Sequence, residues 1–131
     1  MNPLSKKFPG KKILVVEDYF INQEVIKDIL ELMECEVAIA ENGVLALEKI
    51  EKEEYDLVFL DIQMPEKDGY QVAKEIREKE DSDEHIPLIA LTASALSGDR
   101  EKCLKEGMDD YLSKPIEPYQ IEEILDKYLK P

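Results

Sequence analysis

The chain has 131 residues, which is enough for one domain with a buried core and too few for two. It carries 17 Lys and Arg residues against 31 Asp and Glu residues, a formal net charge of −14. Nucleic acids and anionic membranes both favour basic residues, so this balance argues against either one as a direct partner. It suits a site that binds a divalent cation.

No apolar run approaches the roughly 20 residues of a membrane span, and residues 1–12 lack the apolar core of a secretory signal. We therefore expect a cytosolic location. Cys35 and Cys103 are isolated, and His85 is the single histidine. This argues against a disulfide and against a metal or catalytic site built on cysteine or histidine.

In chain order, the apolar patterns predict five strands that alternate with five helices. Residues 1–11 contain Pro3, Pro9 and Gly10 and are predicted to form a loose leader or linker, with the folded domain spanning 12–131. The predicted strands are 12–17, 36–40, 57–61, 86–92 and 110–112. Helices are predicted from Ile21, after Asn42-Gly43, from Gly69, over 98–106 and from Pro118, and Gly107 is predicted to be a left-handed cap.

The first predicted helix has an unusually wide apolar face. Two adjacent stripes make up this face: Val25, Ile29 and Leu32 beside Ile26, Leu30 and Met33. This width indicates either a deeply packed helix or one that keeps apolar surface for a partner.

The strand that ends at Asp61 is the centre of the predicted fold. Leu57–Leu60 form a short unbroken apolar run, which is typical of a strand buried on both faces of a parallel sheet. Alternating strands and helices imply right-handed crossovers with helices on both faces, and the order 2-1-3-4-5 is the usual solution at this size. The predicted fold is therefore an α/β, doubly wound, five-stranded parallel sheet of the flavodoxin-like type.

Acidic side chains end two neighbouring strands of this predicted sheet. Glu17 and Asp18 follow the first strand, and Asp61 ends the third, beside it at the topological switch point. Three carboxylates this close repel one another, and a hard cation such as Mg²⁺ resolves the repulsion. The sequence therefore predicts a Mg²⁺ site and makes Asp61 the candidate nucleophile that accepts a phosphoryl group.

Two further polar residues lie at the same predicted edge. The Lys114 ammonium would offset the charge of Asp61 and then pair with a phosphoryl oxygen. Thr92 ends an otherwise apolar strand, and its hydroxyl would donate to another phosphoryl oxygen. Taken alone, Thr92 is equally compatible with a helix cap.

Together these motifs resemble the receiver domain of two-component response regulators. They are Val16-Glu17-Asp18, Asp61–Gly69, Leu91-Thr92-Ala93 and Tyr111–Ile116. Each is weak alone, but their order and spacing are specific, and the resemblance covers about 12–130. Further stretches resemble the receivers of hybrid sensor histidine kinases: Asn22-Gln23, Ala40–Gly43, Ala90–Ala93 and Gly107–Pro115.

The resemblance implies a CheY-like fold and a role for each matching residue. Asp61 would accept a phosphoryl group from a phosphohistidine. Mg²⁺ would be held by Asp18, Asp61 and the backbone carbonyl of Gln63, and by Glu17 through a water molecule. Thr92 and Lys114 would bind phosphoryl oxygens. A switch of Thr92 and Tyr111 would then change the surface of the fourth helix, fifth strand and fifth helix. Taken alone, Tyr111 is almost equally compatible with an ordinary half-buried tyrosine.

The sequence departs from the hybrid-kinase pattern at Tyr19, where Asn is usual. With Phe20 and Ile21, Tyr19 gives an apolar rim beside the predicted site. We expect the helical bundle of a histidine kinase, or a histidine phosphotransfer domain, to dock on this rim. The resemblance is compatible with a stand-alone receiver and with the cytosolic part of a membrane-bound hybrid kinase.

Two other classes share this topology. A Mg²⁺-dependent phosphatase with an aspartyl-phosphate intermediate would need a second Asp two residues after the nucleophile, where this chain has Gln63. A flavin-binding electron carrier would need a phosphate loop after the first strand, where Glu17 and Asp18 would repel phosphate. We therefore expect a signalling module, not a metabolic enzyme, that assists its own phosphorylation and dephosphorylation.

Overall fold

The computed structural model describes residues 7–64, 69–80, 85–93 and 97–129, with side chains described at all of these except 97–100. The strands are β1 (Lys12–Val16), β2 (Glu36–Ala40), β3 (Leu57–Asp61), β4 (Leu88–Thr92) and β5 (Asp110–Ser113). The helices are α1 (Phe20–Leu32), α2 (Gly43–Lys52), α3 (Gly69–Lys79), α4 (Ser97–Lys105) and α5 (Pro118–Tyr128). The predicted alternation of strands and helices is confirmed.

All the strands are parallel, and their order is β2-β1-β3-β4-β5, as predicted. In the register, Val16 pairs with Leu60, Asp61 with Leu91, and Thr92 with Ser113. The carboxyl ends of the three central strands and β5 therefore lie along one edge of the sheet.

The core lies on both faces of the sheet because successive side chains of a strand point in opposite directions. In β3, Leu57 and Phe59 pack with residues of α1 and α5, whereas Val58 and Leu60 pack with residues of α2 and α3. Every residue of β3 is buried, which explains why its sequence is an unbroken apolar run up to Asp61.

The wide apolar face of α1 is only partly packed. Ile26, Ile29 and Leu30 are buried, but Val25 is 45% exposed and Leu32 is 62% exposed. This helix is therefore not deeply packed on its whole apolar face, and part of that face is exposed.

Phe8 lies within the predicted leader but packs into the core. Its side chain is fully buried, and its backbone N–H donates to the carbonyl oxygen of Met33 at 2.8 Å. This departs from the loose segment expected there, because the aromatic side chain packs in the core cluster that includes residues of α1, α5 and the sheet. Residues 1–6 lie outside the described residues.

Two other sequence expectations concern helix ends. Gly107 has a φ of +101° just after α4, as predicted for a left-handed cap. α3 begins at Gly69, as predicted, and residues 65–68 before it lie outside the described residues. No helix in the described ranges combines the length and the apolar character needed to cross a bilayer.

Candidate functional site

Three carboxylates meet at the carboxyl edge of the sheet. Glu17 and Asp18 directly follow β1, and Asp61 is the last residue of β3. One oxygen from each of these side chains lies within 4.8 Å of the others. Glu17 and Asp61 are buried, whereas Asp18 is exposed. The trio predicted from the strand ends is therefore brought together.

The segment after β3 fixes the orientation of Asp61. The backbone N–H of Gln63 donates to Asp61 Oδ1 at 2.9 Å. A Cβ atom at Gly69 would lie only 2.6 Å from the carbonyl oxygen of Asp61, so glycine is what allows α3 to begin against this strand end. The Gln63 N–H thus helps to orient the Asp61 side chain, whereas Gly69 allows the close approach to the Asp61 backbone.

Lys114 provides a positive charge to the carboxylates. Its Nζ donates to Glu17 Oε1 at 2.9 Å and to Asp61 Oδ2 at 3.2 Å. Its backbone N–H donates to the carbonyl of Thr92 at 2.7 Å, which ties the end of β5 to the end of β4. The peptide bond between Lys114 and Pro115 is cis. One ammonium against three carboxylates leaves the cluster with excess negative charge.

The electrostatics of the cluster raise the pKa of Glu17 and the pKa of Lys114. Burial raises the pKa of Glu17 from its ordinary value of 4.5 to about 7; the neighbouring Asp61 carboxyl adds to this rise, and Lys114 and Asn22 oppose it. Burial alone would lower the pKa of Lys114, but the Glu17 and Asp61 carboxylates raise it overall. Lys114 therefore stays charged, while a charged Glu17 is costly without a further cation.

Two amide side chains also hold Glu17. Asn22 Nδ2 donates to Glu17 Oε1 at 2.5 Å, and Gln23 Nε2 donates to the Glu17 backbone carbonyl at 2.6 Å. Sequence reasoning noted Asn22-Gln23 only as a family motif and gave neither residue a contact. The available signal was their place in the first turn of the helix that follows the acidic pair.

Thr92 and Tyr111 lie where the predicted topology puts them. Thr92 is buried at the end of β4, beside the strand that carries Asp61. Tyr111 is half-buried on β5 and pairs with Ala90. Their positions are compatible with the predicted switch.

The apolar rim next to the site is exposed. Tyr19, Phe20 and Ile21 are 55%, 66% and 57% exposed, respectively. They lie at the start of α1, immediately after the acidic pair. A partner bound to this rim would therefore lie beside the carboxylate cluster.

The residues of the cluster fit a magnesium ion. Glu17 Oε2 is buried and accepts no hydrogen bond within the described part of the chain. A buried carboxylate oxygen without a donor is unfavourable, and Mg²⁺ prefers oxygen ligands, including carboxylates. A divalent cation here would satisfy this oxygen and balance the excess negative charge.

Comparison with known proteins places this site in a family. The family description "Response regulator receiver domain" matches residues 13–126. Hybrid signal transduction histidine kinase L of Dictyostelium discoideum is 44% identical over 124 residues, which cover 91% of this chain. Sensor protein GacS of Pseudomonas syringae is 38% identical over 128 residues, or 96% of this chain. The chain spans only 7% and 14% of the length of these two relatives.

Solved structures show the same similarity. The receiver domain of a Pseudomonas aeruginosa sensor histidine kinase, with a magnesium ion coordinated in its active-site cleft, is 41% identical with a TM-score of 0.82. The match covers 91% of this chain and 97% of that one. A Saccharomyces cerevisiae response-regulator receiver, crystallised with a histidine phosphotransfer protein, is 31% identical with a TM-score of 0.86, over 94% and 91% of the two chains.

Proposed function

The chain belongs to the response regulator receiver domain family of two-component signalling, and from this membership and the site geometry we propose that Asp61 is its phosphoacceptor. The observation that carries the proposal is the position of the Asp61 carboxylate. It is buried at the end of the central strand, with the Gln63 N–H on one oxygen and the Lys114 ammonium on the other. The receiver domain of this proposal spans 12–131, and Phe8 packs against it.

In the proposed reaction, an Asp61 carboxylate oxygen forms a bond to phosphorus while the bond between phosphorus and the nitrogen of a phosphohistidine breaks. Lys114 then pairs with one phosphoryl oxygen, and the Thr92 hydroxyl donates to another. Phosphoryl transfer depends mainly on positioning and charge stabilisation, so this small set of residues is sufficient. The domain assists its own phosphorylation, and also its dephosphorylation, without turning over a metabolite.

Glu17, Asp18, Asp61 and the Gln63 carbonyl are the proposed ligands of Mg²⁺. When bound, Mg²⁺ would neutralise negative charge on the carboxylates and on the phosphoryl oxygens. The orphaned Glu17 Oε2 and the excess negative charge of the cluster support this assignment. So does the magnesium ion in the receiver of the Pseudomonas aeruginosa kinase.

The proposed phosphodonor is a histidine phosphotransfer domain or the helical bundle of a histidine kinase, docked on Tyr19, Phe20 and Ile21. These side chains are exposed and apolar and lie beside the carboxylates. The joint substitution Phe20→Ala and Ile21→Ala should slow transfer from a phosphorylated phosphotransfer domain and leave labelling by acetyl phosphate unchanged. Equal transfer rates for variant and wild type would exclude this docking surface.

Phosphorylation is proposed to be read out through Thr92 and Tyr111. The phosphoryl group draws the Thr92 hydroxyl inward, and the Tyr111 ring moves into the space that it leaves, which changes the surface of α4, β5 and α5. Tyr111→Ala should keep adduct formation but lose the phosphorylation-dependent NMR shifts on α5. Unchanged shifts would refute this readout.

The phosphoacceptor is tested by intact-mass analysis after incubation with acetyl phosphate, with and without Mg²⁺. We expect one phosphoryl adduct on the wild type and on the control Asp28→Asn, which alters an exposed carboxylate on α1. The adduct should require Mg²⁺ and be absent from Asp61→Asn. An adduct that persists on Asp61→Asn would refute the assignment, as would a wild type that neither forms an adduct nor binds beryllofluoride.

A further inference from the structure

Glu17 is held at almost every polar atom. Its N–H donates to the carbonyl of Ala40 at 3.0 Å, and its own carbonyl accepts the Gln23 side chain at 2.6 Å. Its Oε1 accepts both Asn22 Nδ2 at 2.5 Å and Lys114 Nζ at 2.9 Å. Oε2 is the exception, since it is buried and accepts no hydrogen bond from any described residue.

The two donors to Glu17 Oε1, Asn22 and Lys114, differ in charge and in their other contacts. Lys114 is shared with Asp61, and in the proposed function it also binds a phosphoryl oxygen. Asn22 is neutral and lies in the first turn of α1, where the helix backbone limits its movement. Its amide therefore orients the carboxylate without adding a positive charge that would compete with a cation.

The structure at the N-terminus of α1 shows how the two amide side chains reach Glu17. Tyr19 is the N-cap residue of α1, and its side chain makes no capping hydrogen bond. The polar side chains of the first turn point instead to Glu17, Asn22 to the carboxylate and Gln23 to the backbone carbonyl. The polar side chains at the start of α1 therefore hydrogen-bond to Glu17 at the end of β1, and the N-cap side chain does not cap the helix.

We propose that Asn22 is a positioning residue of the metal site: its carboxamide occupies Glu17 Oε1 and leaves Oε2 as the oxygen that faces Mg²⁺. Gln23 assists by holding the backbone of Glu17. The inference rests on the proposed function, because it concerns the same cation. Partners that orient a metal-binding carboxylate commonly contribute 10- to 100-fold to metal affinity.

The test is Mg²⁺ binding by isothermal titration calorimetry, with MgCl₂ as the titrant. Asn22→Leu removes the amide at similar volume and should weaken Mg²⁺ binding about tenfold. Asn22→Gln keeps an amide and should recover part of the loss. The matched control Glu24→Ala, two positions further along the same helix, should bind as tightly as the wild type.

Two features separate positioning from a general loss of stability. The Kd is measured where circular dichroism shows every variant to be folded, so a change in global stability alone does not alter it. In the Lys114→Met background, Asn22 becomes the remaining described donor to Oε1. Asn22→Leu should therefore weaken Mg²⁺ binding more in that background than in the wild type, a coupling that a double-mutant cycle measures.

The outcomes distinguish this inference from the function on which it rests. Mg²⁺ binding by the wild type with an unchanged Kd in Asn22→Leu would overturn the role of Asn22 and leave the proposed function intact. Additive effects of Asn22→Leu and Lys114→Met would also overturn it. A wild type that binds no Mg²⁺ would overturn the proposed metal site and this inference together.

Discussion

A cluster of charged side chains lies at each end of β4, and the two clusters differ in how fully their polar groups are hydrogen-bonded. At the amino end, the Arg77 guanidinium uses all three of its nitrogens. Its Nε donates to the Gly107 carbonyl at 2.8 Å, one terminal nitrogen donates to Glu80 and to the Ile86 carbonyl, and the other donates to Asp109 at 2.9 Å. This arginine joins α3, the entry to β4 and the entry to β5.

The acids around Arg77 are paired as well. Asp109 accepts the Leu88 N–H and contacts the His85 ring, and Glu80 accepts the Ile86 N–H. At the carboxyl end of β4, one ammonium donates to two of three clustered carboxylates, and a buried oxygen of Glu17 lacks a donor among the described residues. A fully satisfied polar network stabilises a fold, whereas a buried polar group without a partner is costly until a water, an ion or a ligand supplies one.

The largest expected effect comes from breaking the Arg77 network. Arg77→Met keeps much of the aliphatic stem but leaves Asp109 and Glu80 without their cation, with the arginine side chain only 19% exposed. Removing one partner of a fully buried ion pair costs about 3 kcal/mol or more, and because this network is half-buried we expect a loss approaching that size in the free energy of unfolding. Urea denaturation in EDTA measures it.

Asp61→Asn is the matched change at the other end of β4. It removes a charge from a cluster that has too many negative charges, so the free energy of unfolding of the metal-free protein should not fall. Arg77→Lys should lie between the wild type and Arg77→Met, because lysine keeps the charge and loses the planar set of donors. If Asp61→Asn lowered the free energy of unfolding as much as Arg77→Met does, the proposed difference between the two clusters would be wrong.

The second effect, similar in size but confined to the site, is a pH dependence caused by Glu17. Its pKa in the folded protein is about 7, against an ordinary value of 4.5. Between these values Glu17 binds more protons in the folded state than in the unfolded state, so its contribution to stability is fully present below pH 4.5 and is lost as the pH rises through 7. The shift corresponds to about 3 kcal/mol in the free energy of unfolding.

This dependence is measured by urea denaturation of the metal-free protein over that pH range. Glu17→Gln should lack the decline, and saturating Mg²⁺ should reverse it in the wild type, because the cation stabilises the charged carboxylate. Arg77→Met should keep the wild-type slope at a lower stability. If Glu17→Gln showed the same slope as the wild type, another group would be responsible.

The two clusters also differ in how much of each could be predicted from the sequence. The five strands and the meeting of Glu17, Asp18 and Asp61 could be predicted, because apolar runs define strands and a parallel sheet aligns their carboxyl ends. The contacts of Asn22 could not, because they depend on the conformation of the turn between β1 and α1.

The Arg77 network was equally out of reach from the sequence. Its partners come from segments up to 32 residues away, and each acid alone resembles an ordinary surface charge. Phe8 was missed because a single aromatic residue carries no periodicity. Periodic features of the chain are therefore predictable here, whereas contacts that depend on turns and on distant loops require the structure.

The smallest expected effect is at the ion pair between Lys79 and Glu51. At 2.6 Å it is shorter than the Arg77 contacts, yet its side chains are 53% and 59% exposed. Lys79→Met should leave the urea midpoint unchanged within error, since exposed pairs gain little over hydration and are screened by salt. If Lys79→Met shifted the urea midpoint as much as Arg77→Met does, a short distance between opposite charges would be sufficient to stabilise the fold even when both side chains are exposed. No shift would mean that an ion pair stabilises this fold only where burial keeps its partners from water.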